Sequence, residues 1–359
     1  MVIKVCYNGY VNKGIMMNFY GRDFLRILDF SEDELHYMLA MAKKFKEMKR
    51  NRQNHKYFPD KNIAILFEKT STRTRCSFEV AGYDLGMGVT YLDPSGSQMG
   101  HKESIADTAR VLSRLYQGIE YRGFDQKIVD ELAKYSDVPV WNGLTDECHP
   151  TQALGDFMTI EEHFGRLRGL TLAFVGDTRN NVANSLMAMS AKMGVNFIAC
   201  GPNELRPSDD IINKCREVAD KNHCTIKVTN DVNALAGLAD VIYADVWLSL
   251  GEPQEKWGER IELLKPYQVN AALMNGAKDT AIFLHCLPSF HDLNTSVARD
   301  VNEIFGIAEM EVTDEVFNSE RSLVFEQAEN RMHTIKAVIF LSLWDSSLEK
   351  KSPSEKKPG

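Results

Sequence analysis

The stretch Ile63-Ala64-Ile65-Leu66-Phe67-Glu68-Lys69-Thr70-Ser71-Thr72-Arg73-Thr74-Arg75 runs from five consecutive apolar residues into a cluster of hydroxyls and arginines. An unbroken apolar run of this length reads as a buried strand. Phe78, Ala81 and Leu85 follow at helical spacing, so Ser71 to Arg75 stand where a strand gives way to a helix. Free N–H groups in the first turn of a helix favour an anion. Hydroxyls add donors, and arginine adds a charged planar fork matched to phosphate oxygens. The same residues would also suit a plain Ser/Thr helix cap with solvated arginines. The G-x-x-x-x-G-K-[ST] pattern is missing, so a nucleotide P-loop is not supported.

Outward from this stretch the alternation continues. Ile105, Ala109, Leu112 and Tyr116 mark a helix, Ile119-Glu120-Tyr121 alternates like a strand, and Val138-Pro139-Val140 is a short extended piece. A helix opens at His149-Pro150, with proline suited to the first turn. Leu154, Phe157 and Met158 share one face of it, and it runs to about Phe164, interrupted by Gly155. This helix is expected to connect two domains. Beyond it, Leu172-Ala173-Phe174-Val175, a helix through Leu186 and Met189, and Asn196-Phe197-Ile198-Ala199 form a βαβ unit. Val241-Ile242-Tyr243 and Ile282-Phe283-Leu284 are further strands. Strands alternating with helical patterns predict a parallel α/β architecture.

The whole chain is consistent with that class. Its 359 residues suggest about two domains, and 44% hydrophobic content supplies ordinary cores. A net charge of -8 gives no reason to expect a nucleic-acid partner. Seven cysteines, none in a C-x-x-C pair, read as reduced thiols of a cytoplasmic protein. Cys148-His149 has no second pair at zinc spacing, so no metal is expected. No apolar stretch reaches the roughly 18–20 residues that span a bilayer, so no membrane partner is expected either. The first 16 residues lack a signal-peptide core and contain no arginine. The charged, Pro/Ser-rich tail, residues 347–359, is expected to be disordered.

Open parallel sheets bind ligands beyond the C-terminal ends of their strands. That rule selects Ser71 to Arg75, Arg122, His149, Asn181, Asp245 and Cys286. His149 and Gln152 lie three residues apart on one helix and can address one site. An imidazole there could polarise a carbonyl; the plainer alternative is a histidine cap with an exposed glutamine. Arg122 alone could be a solvated arginine. Asp245 to Gly251 suits an amino group, or is a surface loop. A lone Cys286 is most often inert packing. Gly176-Asp177 follows a strand, but G-x-G-x-x-G is absent, so no nicotinamide cofactor is indicated.

The ordered set Ser71-Thr72-Arg73-Thr74-Arg75, His149-Pro150-Thr151-Gln152, Asp245-Val246-Trp247-Leu248-Ser249, His285-Cys286-Leu287-Pro288 and Glu329-Asn330-Arg331 resembles the aspartate/ornithine carbamoyltransferase family. The likeness runs from about Asn18 to about Leu343. Phe67-Glu68-Lys69, Ser95 to Ser104 and Met332-His333-Thr334-Ile335-Lys336 look like its ornithine branch.

The resemblance implies two doubly wound parallel-sheet α/β domains joined by helices. Residues 1–148 would bind carbamoyl phosphate, residues 149–332 ornithine, and a helix at about 333–346 would return to the first domain. Ser71, Thr72, Arg73 and Thr74 would hold the phosphate, and Gln98 would reach the phosphate of a neighbouring subunit in a homotrimer or a multiple of trimers. Arg122 would bridge phosphate and carbonyl, His149 would bond the carbonyl, Gln152 the carbamoyl nitrogen, and Arg331 would complete the pocket. Asn181, Asp245, Ser249 and Leu250 would hold the amino-acid end of ornithine, with Cys286 and Leu287 near its reacting amine. No cofactor is implied. The family's ornithine loop usually reads Ser-Met-Gly, and Leu250 here keeps the bulk and the backbone N–H. Putrescine or another amine as acceptor, and a non-catalytic ligand-binding relative, are the competing readings.

Overall fold

A computed structural model describes residues 17–93, Met99, 102–248 and 254–345. Gln98, Ser249, Leu250 and the tail from 347 onward lie outside the described residues, so the expectations placed on them are not addressed by it. Helix α1 (Glu32–Arg50) precedes β1 (Asn62–Phe67), α2 (Thr72–Leu85), β2 (Gly88–Leu92), α3 (Ile105–Leu115), β3 (Gly118–Arg122), α4 (Gln126–Tyr135) and β4 (Val140–Leu144). Helix α5 (Pro150–Phe164) leads to β5 (Thr171–Val175), α6 (Asn181–Met193), β6 (Asn196–Cys200), α7 (Asp209–Lys221), β7 (Ile226–Thr229) and β8 (Val241–Ala244). Then come α8 (Trp257–Leu264), α9 (Ala271–Gly276), β9 (Ile282–His285), α10 (Ser296–Phe305), α11 (Asp314–Phe317) and α12 (Val324–Leu343).

Two parallel sheets result, in the orders β2-β1-β3-β4 and β7-β6-β5-β8-β9. Both are doubly wound. The chain reverses its direction of travel between β1 and β3 in the first sheet and between β5 and β8 in the second. Such switch points open a crevice beyond the strand ends. Ser71 follows β1 and Arg122 closes β3, with Phe67 paired to Arg122 in register. Gly176 follows β5 and Asp245 follows β8, with Val175 paired to Ala244. The sites selected by strand position therefore fall at both switch points.

Ile63 to Phe67 are buried throughout, as an unbroken apolar run requires. Three expectations shift. Glu120 does not alternate outward; it is 0% exposed, because helices cover both faces of the sheet. The extended piece at Val138-Pro139 is not itself strand: β4 starts at Val140, and Pro139, lacking an N–H, contributes only the carbonyl that accepts from Ile119. The helix expected from 333 begins at Val324 and packs against α1, α2 and α5.

Gly155 does not break α5. A Cβ there would sit 3.0 Å from the Cα of Arg331, so glycine lets α12 approach α5 backbone to backbone. One apolar cluster runs through Phe67, Phe78, Phe157, Phe174, Leu186 and Phe340 and binds both sheets to these helices. Each such side chain contributes roughly 1.5–3 kcal/mol by burial. Among the described residues no helix is long and apolar enough to cross a membrane.

Candidate active site

Helix α2 starts as its sequence suggests. The Ser71 hydroxyl accepts from the N–H of Thr74 at 3.2 Å, so Ser71 is the helix cap. Thr74, in the first turn, is fully buried. Its Oγ1 accepts from Arg122 Nη1 at 3.1 Å and from Arg331 Nη2 at 2.6 Å. With both lone pairs engaged, the one proton on that hydroxyl is left to donate to a third partner. Arg122 is anchored from behind by the carbonyl of Lys69, 3.2 Å from its Nε. Arg331 also reaches Thr151 Oγ1 at 3.5 Å.

Two guanidinium groups thus converge on one buried hydroxyl, and Arg73 is near enough to add its repulsion to theirs. Burial brings Arg331 down to about 9, with Arg122 and Arg73 adding repulsion. Arg122 falls to about 10 by burial, partly offset by Glu120 and further lowered by Arg73. Arg73 is lowered by burial and pulled back by Cys286 and Asp245. A dianion at this focus would relieve the mutual repulsion.

His149 is the N-cap position of α5, yet its side chain makes no cap bond. Its backbone N–H donates to Ser185 Oγ at 2.8 Å, tying α5 to α6. Among the described residues its Nδ1 has no hydrogen-bond partner. Burial holds the imidazole well below its ordinary range, and Arg331, Arg122, Arg73 and Lys69 add to this. The ring is neutral and offers one N–H and one lone pair. Gln152, one turn on, donates from Nε2 to Asp156 Oδ1 at 2.7 Å.

At the second switch point, Asp245 Oδ1 accepts from the Cys286 thiol at 2.9 Å and from the N–H of Val246 at 2.8 Å. Its Oδ2 accepts from Asn180 Nδ2 at 2.9 Å. Burial raises the Asp245 carboxyl. Burial, followed by Asp245, pushes the Cys286 thiol well above its usual range, so the sulfur keeps its proton. Leu287 has φ 54° and precedes a cis peptide to Pro288. A leucine in the left-handed region costs about 1–2 kcal/mol, and its N–H is held by His285 Nδ1 at 2.9 Å.

Asp245, His285 and Cys286 present ligand atoms within 4.8 Å of one another, the donor set of a cation site. The imidazole is already engaged, however: Nδ1 accepts from Leu287, and Nε2 faces Glu311 at 3.4 Å. The thiol is held as a donor. The set suits a positively charged or hydrogen-bearing amine better than a metal.

Arg75 is an exposed side chain on α2. It pairs with Glu79 at 3.0 Å and stacks on Tyr91 at 3.8 Å, because successive residues of a helix point 100° apart. The Asn181 amide donates to the carbonyl of Thr145, and Asn180, the residue before it, donates to Asp245. Sequence reasoning missed Asn180, Thr151, Asp156, Tyr243 and Gln327. Only Asp156 carried a readable signal, four residues after Gln152 on one helix face.

Comparison with known proteins agrees with this arrangement. Residues 22–162 match the family model described as the carbamoyl-P binding domain of aspartate/ornithine carbamoyltransferase, and residues 168–342 match its Asp/Orn binding domain. The chain belongs to the aspartate/ornithine carbamoyltransferase family. A catabolic ornithine carbamoyltransferase of Treponema denticola is 60% identical over 326 residues, 91% of this chain and 96% of that one. An ornithine carbamoyltransferase of Staphylococcus aureus is 53% identical over 330 residues, covering 91% and 99%. The solved ornithine carbamoyltransferase of Pyrococcus furiosus superposes with a TM-score of 0.83 at 40% identity, covering 91% of this chain and 99% of that one. The two matched regions coincide with the two sheets, β1 to β4 in the first and β5 to β9 in the second.

Proposed function

We propose that this carbamoyltransferase moves the carbamoyl group of carbamoyl phosphate to the δ-amine of L-ornithine, giving L-citrulline and phosphate, reversibly. The observation that carries this reading is the buried convergence of Arg122 and Arg331 on Thr74, beside a neutral His149 whose Nδ1 has no partner among the described residues. The first turn of α2, with Ser71, Thr72, Arg73 and Thr74, takes the phosphate. The Thr74 hydroxyl, Arg122, His149 and Arg331 face the carbonyl oxygen, where negative charge grows in the tetrahedral intermediate. Donors fixed in this way are commonly worth on the order of 10²–10³ in kcat each. Asp245, Asn181, Ser249 and Leu250 take the amino-acid end of ornithine, and Cys286 and Leu287 border its reacting amine.

The amine must be neutral to attack. Its reference pKa is about 10.4, as for lysine, so most of it is protonated at pH 7. Asp245 favours the ammonium and therefore orients rather than deprotonates. Cys286 keeps its own proton and is no base. As the new C–N bond forms and the C–O bond to phosphate breaks, the second amine proton leaves with the phosphate dianion, the one strong acceptor the reaction itself supplies.

The reading extends to a cytoplasmic homotrimer or a multiple of trimers. The free cysteines support the compartment. Exposed apolar side chains on α2 and α3, namely Val80, Tyr83, Val111 and Leu115, support an interface between copies. Steady-state assays of citrulline formation test the activity. Saturable dependence on carbamoyl phosphate, with one phosphate released per citrulline, is expected; no citrulline formed from ornithine and none consumed with phosphate would refute it.

A further inference from the structure

Asp156 lies on α5, fully buried, at the meeting point of three side chains from three elements. Its Oδ1 accepts from Gln152 Nε2 at 2.7 Å and from Gln327 Nε2 on α12 at 2.6 Å. Its Oδ2 accepts from the hydroxyl of Tyr243 on β8 at 3.1 Å. Gln327 in turn accepts from the N–H of His285, the residue before Cys286, at 3.0 Å. The network joins the helix that bears His149 and Gln152 to the strand ends that bear Asp245 and Cys286.

Oδ1 of Asp156 accepts from both amides, and such an oxygen only accepts, whether it belongs to a carboxylate or is the carbonyl oxygen of the protonated acid. Facing it, the Gln152 amide must turn its NH₂ inward, and Oε1 is then the end left for a ligand. An oxygen can accept from the NH₂ of a carbamoyl group; the opposite amide orientation would set NH₂ against NH₂. We propose that Asp156 is a positioning residue that fixes the Gln152 amide with Oε1 toward the carbamoyl nitrogen, and so makes the site select an amide over a group of the same shape. This rests on the carbamoyl-phosphate reading above. The carboxylate does this as an acceptor rather than as a charge, since Oδ1 alone receives both glutamines.

Binding of two stable probes separates this role from plain structural support. Phosphonoacetamide carries the NH₂; acetonylphosphonate carries a methyl group in its place. Calorimetric titration of the wild-type protein is expected to favour the amide probe by about tenfold, the worth of one well-placed hydrogen bond. Asp156→Leu is expected to reduce that preference to less than about twofold, with the affinity for acetonylphosphonate held within about twofold. Asp156→Asn, which keeps an acceptor oxygen toward Gln152, is expected to retain the preference. Should Asp156→Leu not fold, Asp156→Ser replaces it, with its hydroxyl one atom too short to reach the amide.

Retention of the preference in the leucine or serine variant would overturn the proposal. So would equal weakening of both probes, or loss of the preference in Asp156→Asn. A wild-type protein that binds neither probe would instead refute the carbamoyl-phosphate reading, and this inference with it.

Discussion

Nη2 of Arg331 lies 2.6 Å from Oγ1 of Thr74, although 257 positions separate the two residues. Helix α12 thereby reaches the first turn of α2, and the Thr74 hydroxyl ties Arg331 to Arg122. Thr74→Val keeps the shape and removes both the acceptor and the donated proton. It is expected to lower kcat by on the order of 10²–10³, with the fold unchanged by circular dichroism. A loss below tenfold in steady-state assays would show that the hydroxyl does not face the reacting carbonyl.

Arg73 and Arg75 are two residues apart and diverge completely. Arg73→Gly is expected to abolish carbamoyl-phosphate saturation and turnover. Arg75→Gly removes a surface pair with Glu79 and should change the carbamoyl-phosphate KM at least tenfold less. Thermal shift with inorganic phosphate gives an independent reading. A ligand at 100 times its Kd stabilises by about 2.7 kcal/mol, so phosphate should raise the melting temperature of the wild type and of Arg75→Gly but not of Arg73→Gly. Equal protection of both variants would remove Arg73 from the site.

Gly155 stands where α5 and α12 meet. The Cβ of Gly155→Ala would press within 3.0 Å of the Arg331 Cα, and neither backbone can yield locally. A cost of about 1–3 kcal/mol is expected, together with a fall in kcat, because Arg331 shifts with its helix. Unchanged melting and unchanged kcat would show that the helices do not approach so closely.

Asp156 makes stability depend on pH in a defined direction. Burial raises its carboxyl to about 7, against an ordinary 3.8. Between those values the native state holds a proton that the unfolded chain releases. The associated stability is therefore fully present below about pH 3.8 and is lost as pH rises through about 7. Asp156→Asn lacks this titration. Relative to that variant, the wild type is expected to lose roughly 2–3 kcal/mol between pH 5 and 8. Urea unfolding at several pH values measures the difference; a flat difference would place the Asp156 carboxyl at an ordinary pKa.

Much of this architecture was legible in the chain. Ile63 to Phe67 and Leu172 to Val175 announce buried parallel strands by the absence of alternation, and the strand-end rule then points to Ser71, Arg122 and Asp245. The places where sequence reasoning fell short share one physical cause: they depend on neighbours distant in the chain. Glu120 looks like the solvent-facing residue of an alternating strand until helices cover both faces. Gly155 looks like a helix breaker until Arg331, from the far end of the chain, needs its missing Cβ. The Asn180 amide meets Asp245 only because β5 and β8 stand side by side. Asp156 shows its full role only when Tyr243 and Gln327 arrive beside it.

The proposed binding of carbamoyl phosphate and ornithine at the two switch points is tested by the rate of carbamoyl transfer to ornithine, putrescine and aspartate at saturating carbamoyl phosphate. Asp245 and its partners are set to bind an α-amino acid, and a site built to hydrogen-bond a group rejects analogues lacking it by large factors. Citrulline formation is expected with kcat/KM for ornithine on the order of 10² or more above the other two amines. A rate with putrescine or aspartate equal to that with ornithine, or no transfer to any of the three, would contradict it.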